Sequence, residues 1–104
     1  MHTDVDSTKL ERAQECLDRG LILAIFGEAA EATRFYRKAL LLDPNNALGH
    51  YMLGLALMNQ GDTDDAIEQL QEAKHTTRDG SRYEWARAEA ERLLTDHSVR
   101  NRAS

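Results

Sequence analysis

The chain has little cysteine and proline, and it contains no long apolar run. With one cysteine, Cys16, no internal disulfide is possible, which fits a reducing compartment. The longest apolar run, Leu21 to Phe26, is far too short to span a membrane. The N-terminal residues 1–6 lack the basic and apolar regions of a signal peptide. We therefore predict a cytoplasmic protein that does not bind membranes.

Positive charge is also scarce, with 13 Lys and Arg residues against 18 Asp and Glu and a net charge of −5. Proteins that grip nucleic acid generally carry a basic patch, because neutralising phosphates drives their affinity. The only basic-leaning stretch here is the terminal pair Arg100 and Arg102. We therefore expect no nucleic-acid partner. A length of 104 residues, with 41% hydrophobic and 30% charged residues, predicts one folded domain.

Residues suited to catalysis or metal binding are few and scattered. The four histidines do not pair at a helical ligand spacing, and there is no His-Glu-x-x-His or Cys-x-x-Cys motif. Cys16 falls inside a predicted helix, which favours a buried, inert thiol. The acidic segment 61–65 lacks the remainder of a calcium loop and suits a helix N-terminus. We expect no cofactor, no metal and no enzymatic activity.

Glycine, proline and capping residues divide the sequence into five predicted helices. Gly27 and Gly61 end the first and third helices, and Pro44 disfavours helical geometry in the residue before it. Three helix starts carry capping signals, namely Thr8 with Glu11, Asn46, and Ser81 with Glu84. The fourth helix has either Asp62 or Thr63 as its cap, and a turn follows at 78–80. The predicted bounds are 8–26, 28–42, 47–60, 62–77 and 81–96.

The sequence matches itself without a gap when it is shifted by about 34 residues, which is the separation of Ala13 and Ala47. The identities fall on small residues and turn glycines, which have a packing reason to recur. They pair Ala13 with Ala47, Gly20 with Gly54, Leu21 with Leu55, Leu23 with Leu57, Gly27 with Gly61, Ala32 with Ala66, and Ala39 with Ala73. Each unit is a helix, a short turn and a second helix.

This unit resembles the tetratricopeptide repeat. The motif residues are Leu53-Gly54, Leu57, Ala66 and Leu70 in the second copy and Gly20, Leu23, Ala32, Tyr36 and Ala39 in the first. The segment 43–46, Asp-Pro-Asn-Asn, is close to the family's usual turn between repeats. Cys16 and His50 stand where a tryptophan is common, and Arg78 stands where a closing proline would fall. Arg19 replaces a leucine, which predicts a more polar exposed end of the first repeat.

The resemblance implies an all-α fold, a short right-handed solenoid of antiparallel helix pairs with about five helices. We expect a single domain at 8–97, made of repeats 13–46 and 47–80 and a capping helix 81–96. A capping helix is needed because an uncapped last repeat exposes its packing face. The segments 1–7 and 98–104 are expected to be flexible ends.

The resemblance also implies that the first helix of each pair lines a concave groove where a partner binds. In the repeat register, the inward positions are Leu17, Leu21 and Ile25, then Leu48, Tyr51, Met52, Leu55, Met58 and Asn59, and finally Trp85. Because Leu17, Tyr51 and Trp85 follow one another at the spacing of one repeat, we expect them side by side. In some members of the family, side chains at these inward positions hold the terminal carboxylate of a bound peptide. Leucines occupy most of the matching positions here, so we expect no such clamp.

The function predicted from this groove is a non-catalytic adaptor or scaffold that binds a helix or an extended peptide of another protein. Two alternatives stay open at this point. The apolar surface could pair two copies of the chain as a homo-oligomer. The chain could also be a small chaperone-like subunit that shields an apolar segment of a client.

Overall fold

The structure is a computed structural model that describes residues 3–76 and 83–103, with side chains described for 8–76 and 83–98. These residues form helices joined by short turns and contain no strand, which confirms the all-α prediction. The helices are α1 (Thr3–Ile25), α2 (Ala29–Leu42), α3 (Ala47–Asn59), α4 (Thr63–His75) and α5 (Glu84–Ala103).

The first and last helices are longer than the sequence signals predicted. α1 begins at Thr3, so Thr8 lies inside the helix and its capping box does not open it. α5 continues to Ala103 instead of ending at 96. Neither extension contains glycine or proline, so nothing in the chain stops helix propagation there. The predicted cap Ser81 and the turn 78–80 lie outside the described residues, and the domain limits 8 and 97 stay a prediction.

The two turns inside the repeats have the same geometry. Gly27 and Gly61 adopt φ values of +80° and +86°, a left-handed conformation that glycine reaches without a steric penalty. The Glu28 N–H donates to the Leu23 carbonyl at 2.9 Å, and the Asp62 N–H donates to the Leu57 carbonyl at the same distance. Both turns are therefore Schellman caps, and the predicted ends of the first and third helices are confirmed.

The turn between the repeats is fixed by side-chain hydrogen bonds. The Asn46 side-chain oxygen accepts the Gly49 N–H at 3.0 Å, and its amide donates to an Asp43 carboxylate oxygen at 3.2 Å. Asn46 is therefore the predicted N-cap of α3. At α4 the N-cap residue is Asp62, but its side chain makes no capping hydrogen bond.

The helices stack in chain order, with α1 against α2, α2 against α3, α3 against α4 and α4 against α5. The first helices of the pairs also touch, because α1 contacts α3 and α3 contacts α5, whereas the backbones of α2 and α4 do not meet in the described part of the chain. Helices that touch on one side and separate on the other make a curved layer. The inner side of that curve is formed by α1, α3 and α5, as the solenoid prediction requires.

Two equivalent glycines let the helices of each pair approach closely. A Cβ atom at Gly20 would lie 2.4 Å from the Tyr36 ring, and one at Gly54 would lie 2.8 Å from the Leu70 side chain. Tyr36 and Leu70 are both fully buried and occupy equivalent places in the two repeats. The recurrence of glycine at this offset therefore has a packing cause in each repeat.

Candidate protein-interaction surface

The inward positions predicted from the repeat register divide into three groups by exposure. Leu17 and Leu48 are buried, so we leave them out of any surface offered to a partner. Ile25, Asn59 and Trp85 are exposed. The remaining five are half-buried, namely Leu21, Tyr51, Met52, Leu55 and Met58. We call these last two groups together, eight residues on α1, α3 and α5, the inner face.

The aromatic residues of the inner face are in contact. The rings of Tyr51 and Trp85 meet edge to face, with centroids 5.7 Å apart and planes 82° apart. This confirms that Tyr51 and Trp85 lie side by side, as their spacing predicted. Trp85 nevertheless remains 54% exposed, so much of its indole faces solvent. An aromatic held in place by a neighbour and still exposed is a suitable anchor for a partner.

A charged pair lies beside this aromatic contact on α5. Arg92 donates to both carboxylate oxygens of Glu89, with the shortest nitrogen–oxygen distance 2.8 Å, and it also pairs with Asp96 at 3.1 Å. These hydrogen bonds hold the pKa of the Glu89 carboxyl below its usual range. Burial raises the pKa of Tyr51, and the negative charge of Glu89 adds to that rise. The phenol of Tyr51 therefore stays neutral at pH 7.

A residue that the groove prediction left out joins the start of α5 to α1. The Tyr83 hydroxyl, just before α5, donates to the side-chain oxygen of Gln14 on α1 at 3.2 Å. The Tyr83 ring packs on the core cluster that contains Leu17 and Leu48. In the sequence, Tyr83 is recognisable only as a residue next to the capping helix. That position alone does not indicate a hydrogen bond to α1.

The two residues that replace the common tryptophan have ordinary structural roles. His50 is buried, and its ring nitrogens lie 2.8 Å from the Gln69 side-chain oxygen and 2.8 Å from the Pro44 carbonyl oxygen. It ties α3 to α4 and to the inter-repeat turn. Cys16 is buried, as its predicted place inside a helix favoured.

Across 8–76 and 83–98, no group of three or more His, Cys, Asp or Glu side chains is arranged to hold a metal. Within the helices that the structure describes, none combines the length and hydrophobicity required of a membrane span.

Comparison with known proteins agrees with the geometry. Residues 23–90 match the family model of the tetratricopeptide repeat, which is well over half of the chain. No curated protein matches the chain. Tetratricopeptide repeats are generally protein–protein interaction modules. From the matched span, the paired helices and the repeated turns, we conclude that the chain belongs to the tetratricopeptide repeat family.

Proposed function

We propose that this protein is a non-catalytic adaptor whose inner face binds an amphipathic helix or an extended peptide of another protein. The observation that carries the proposal is the contact of the exposed Trp85 with Tyr51, together with the partial exposure of Leu21 and Leu55 at neighbouring inward positions of the repeat register. Apolar side chains that stay accessible beside a fixed aromatic pair are typical of binding grooves. The family's general role in protein interaction supports the same conclusion.

The chemistry of the inner face favours an adaptable, mainly apolar contact. Met52 and Met58 have flexible thioether side chains that fit irregular partner surfaces. Leu21 and Leu55 supply no charge that could hold a terminal carboxylate, and Asn59 alone does not make a clamp. A partner would therefore be recognised by the spacing of its apolar side chains, as in helix-in-groove binding.

The length of the inner face limits what it can hold. Tyr51 and Asn59 are eight residues apart on α3, which corresponds to about 12 Å along the helix axis. On α1, Gln14 is bonded to Tyr83, and Ile25 at the last residue of the helix is 81% exposed. This space accommodates about two turns of a partner helix. We therefore expect modest affinity and rapid dissociation.

The test compares one charge placed on the inner face with the same charge placed elsewhere. Ile25→Glu and Leu55→Glu put a carboxylate into the proposed groove, and Leu41→Glu puts one on α2. Ile25 and Leu41 are 81% and 83% exposed, so neither substitution disturbs the core and the two are closely matched. Proteins captured from the native cell by the unaltered chain should be lost with Ile25→Glu and Leu55→Glu and retained with Leu41→Glu.

Circular dichroism at 222 nm establishes that each variant keeps its helical content. A partner captured equally by all three variants would move the binding site away from the inner face. Light scattering of the purified chain separates this proposal from self-assembly. A dimer that Ile25→Glu dissociates would identify the inner face as a contact between two copies.

A further inference from the structure

Equivalent surfaces on the two repeats each border a crevice, and on the second repeat the preceding helix lies beside it. At the second repeat, α2 lies against α3, and its Leu40 side chain contacts the backbone position of Gly49, 2.9 Å from an ideal Cβ there. Leu40 also borders a crevice of about 390 Å³ with His50, Leu53 and Gln69. We call the four residues Gly49, His50, Leu53 and Gln69 the seat beside Leu40.

Shifting this seat back by one repeat gives Glu15, Cys16, Arg19 and Phe35. All four line one crevice of about 420 Å³ between α1 and α2, together with Arg12, Lys38 and Leu42. We call this the N-terminal crevice. Ile22 and Leu23 extend its apolar wall into an adjoining hollow. A helix placed here as α2 is placed on the second repeat would border this crevice.

The seat of the first repeat differs chemically from that of the second. The floor of the second-repeat seat contains the hydrogen-bonded His50 and Gln69, whereas the counterparts Cys16 and Phe35 make an apolar floor. The edge of the second-repeat seat contains Gly49 and Leu53. Their counterparts in the first repeat, Glu15 and Arg19, are charged. An apolar floor with a charged, solvated edge is typical of a surface that exchanges a partner, not of a permanently packed interior.

The charge at this edge indicates the kind of occupant. Arg12, Arg19 and Lys38 surround the crevice, and none of them makes an ion pair with another residue in the described part of the chain. Glu15 is the one unpaired carboxylate among the lining residues, because Glu31 in the adjoining hollow is bound by Arg34 at 3.0 Å. Three unpaired cations on a chain of net charge −5 make a local positive site. A symmetric pairing of two copies would bring these cations together, which is unfavourable.

We propose that the N-terminal crevice binds an acidic amphipathic α-helix of another protein, which inserts a leucine-sized side chain over Cys16 and Phe35. Carboxylates beside that side chain pair with Arg12, Arg19 and Lys38. This site lies outside the inner face and does not depend on it. The protein would therefore hold two helical segments at once, one on each surface.

The probe for this site is a peptide copy of α2 spanning residues 28–43, held helical by a side-chain lactam. In the peptide, Arg34→Glu, Arg37→Glu and Lys38→Glu supply the acidic flank, and Leu40 is kept as the inserted side chain. Fluorescence anisotropy with the full chain should show saturable binding. Leu40→Ala in the peptide should weaken binding about tenfold, because the apolar side chain that fills the seat is lost. The peptide with its original cations should bind more weakly than the acidic one.

Variants of the protein locate the contact. Arg19→Glu should weaken binding of the acidic peptide about tenfold, and raising the salt concentration should weaken binding to the unaltered chain. Arg37→Glu makes the same charge change on the exposed surface of α2 and should leave the affinity unchanged. Ile25→Glu on the inner face should also leave it unchanged, which separates this site from the proposed groove. Nuclear magnetic resonance shifts on titration should concentrate at 15–23 and 35–38.

Three results would overturn the proposal. The first is the absence of saturable binding up to about 1 mM peptide, since binding weaker than that is not specific recognition. The second is an affinity of the acidic peptide for the Arg19→Glu variant equal to its affinity for the unaltered chain. The third is a set of resonance shifts centred on Leu55 and Met58. Sedimentation equilibrium tests whether a second copy of the chain occupies the N-terminal crevice. A dimer of the unaltered chain that Arg19→Glu dissociates would make the occupant a second copy and contradict a foreign helix.

Discussion

The hydroxyl group of Tyr36 is buried between α1 and α2 and finds no hydrogen-bond partner among the described residues. The ring itself is well placed, because the absence of a side chain at Gly20 leaves room for it. A buried hydroxyl without a partner loses its hydration and costs about 1–3 kcal/mol. Tyr36 thus combines a packing role for its ring with an unfavourable environment for its oxygen.

We predict that Tyr36→Phe stabilises the fold. Phenylalanine keeps the ring against Gly20 and removes the unsatisfied oxygen, so the free energy of unfolding in urea at pH 7 should rise by about 1 kcal/mol. Tyr51→Phe is the control, because it keeps the contact with Trp85 and removes a half-buried hydroxyl. Tyr51→Phe should change the free energy of unfolding by no more than about 0.5 kcal/mol. A loss of stability with Tyr36→Phe would mean that the hydroxyl has a partner.

The same residue should make the protein sensitive to alkali. Burial raises the pKa of Tyr36 above its ordinary value of 10.0, so the folded state favours the neutral phenol. This contribution is fully present below pH 10 and is lost as pH rises through the raised pKa of the folded state. The stability difference between Tyr36→Phe and the unaltered chain should therefore widen when urea unfolding is repeated above pH 10. A constant difference would contradict the burial of the phenol.

At the scale of single elements, the start of α3 depends on the side chain of Asn46. It satisfies the Gly49 N–H and bonds Asp43, and both Asn46 and Asp43 are buried. We predict that Asn46→Ala lowers the free energy of unfolding by about 1–2 kcal/mol, because a helix cap and a buried turn contact are lost together. Urea unfolding followed at 222 nm measures the loss.

The neighbouring residue provides a control for the cap. Asn45 is exposed in the same turn, so Asn45→Ala removes the same side chain without removing the cap. Its effect should stay within about 0.5 kcal/mol. Equal effects at the two positions would show that the turn sequence, and not the cap, stabilises the junction between the repeats.

At the scale of the whole molecule, α5 covers the apolar face left by the second repeat. Leu70 and Ala73 on α4 share a buried cluster with Ala90, and the partly buried Leu93 and Leu94 pack against it. We predict that a chain ending at residue 82 loses its cooperative urea transition and part of its helicity, because this cluster becomes exposed. A chain ending at Ser98 keeps these contacts and should unfold like the full chain. A sharp transition without α5 would show that the two repeats are stable alone.

The sequence predicted local features well. The ends of the first and third helices came from Gly27 and Gly61, and the start of α3 came from Asn46. Each depends on a conformational preference of one residue or on a hydrogen bond within a few positions. The start of α1 was missed because Thr8 has a capping pattern, although the residues before it contain no glycine or proline and the helix begins at Thr3. A capping signal thus marks a permitted start, and the adjoining sequence decides whether the helix uses it.

The surface was predicted less completely for a different reason. The repeat register identified the inward positions but could not tell which of them another element covers. Leu17 and Leu48 are buried with the ring of Tyr83, whose hydroxyl reaches Gln14 across 69 positions of sequence. The polarity expected at Arg19 was confirmed, since this residue is exposed. The crevice beside Arg19 was not predicted, because it is formed by α1 and α2 together.

The sequence by itself determined the repeat, the turns that separate its helices and the family to which it points. These follow from the constant spacing of the repeated residues and from backbone preferences that travel with each residue. Only the tertiary structure decided which inward side chains stay accessible and that a crevice of about 420 Å³ lies between α1 and α2. Burial depends on neighbours that are distant in the chain, as the hydrogen bond from Tyr83 to Gln14 illustrates.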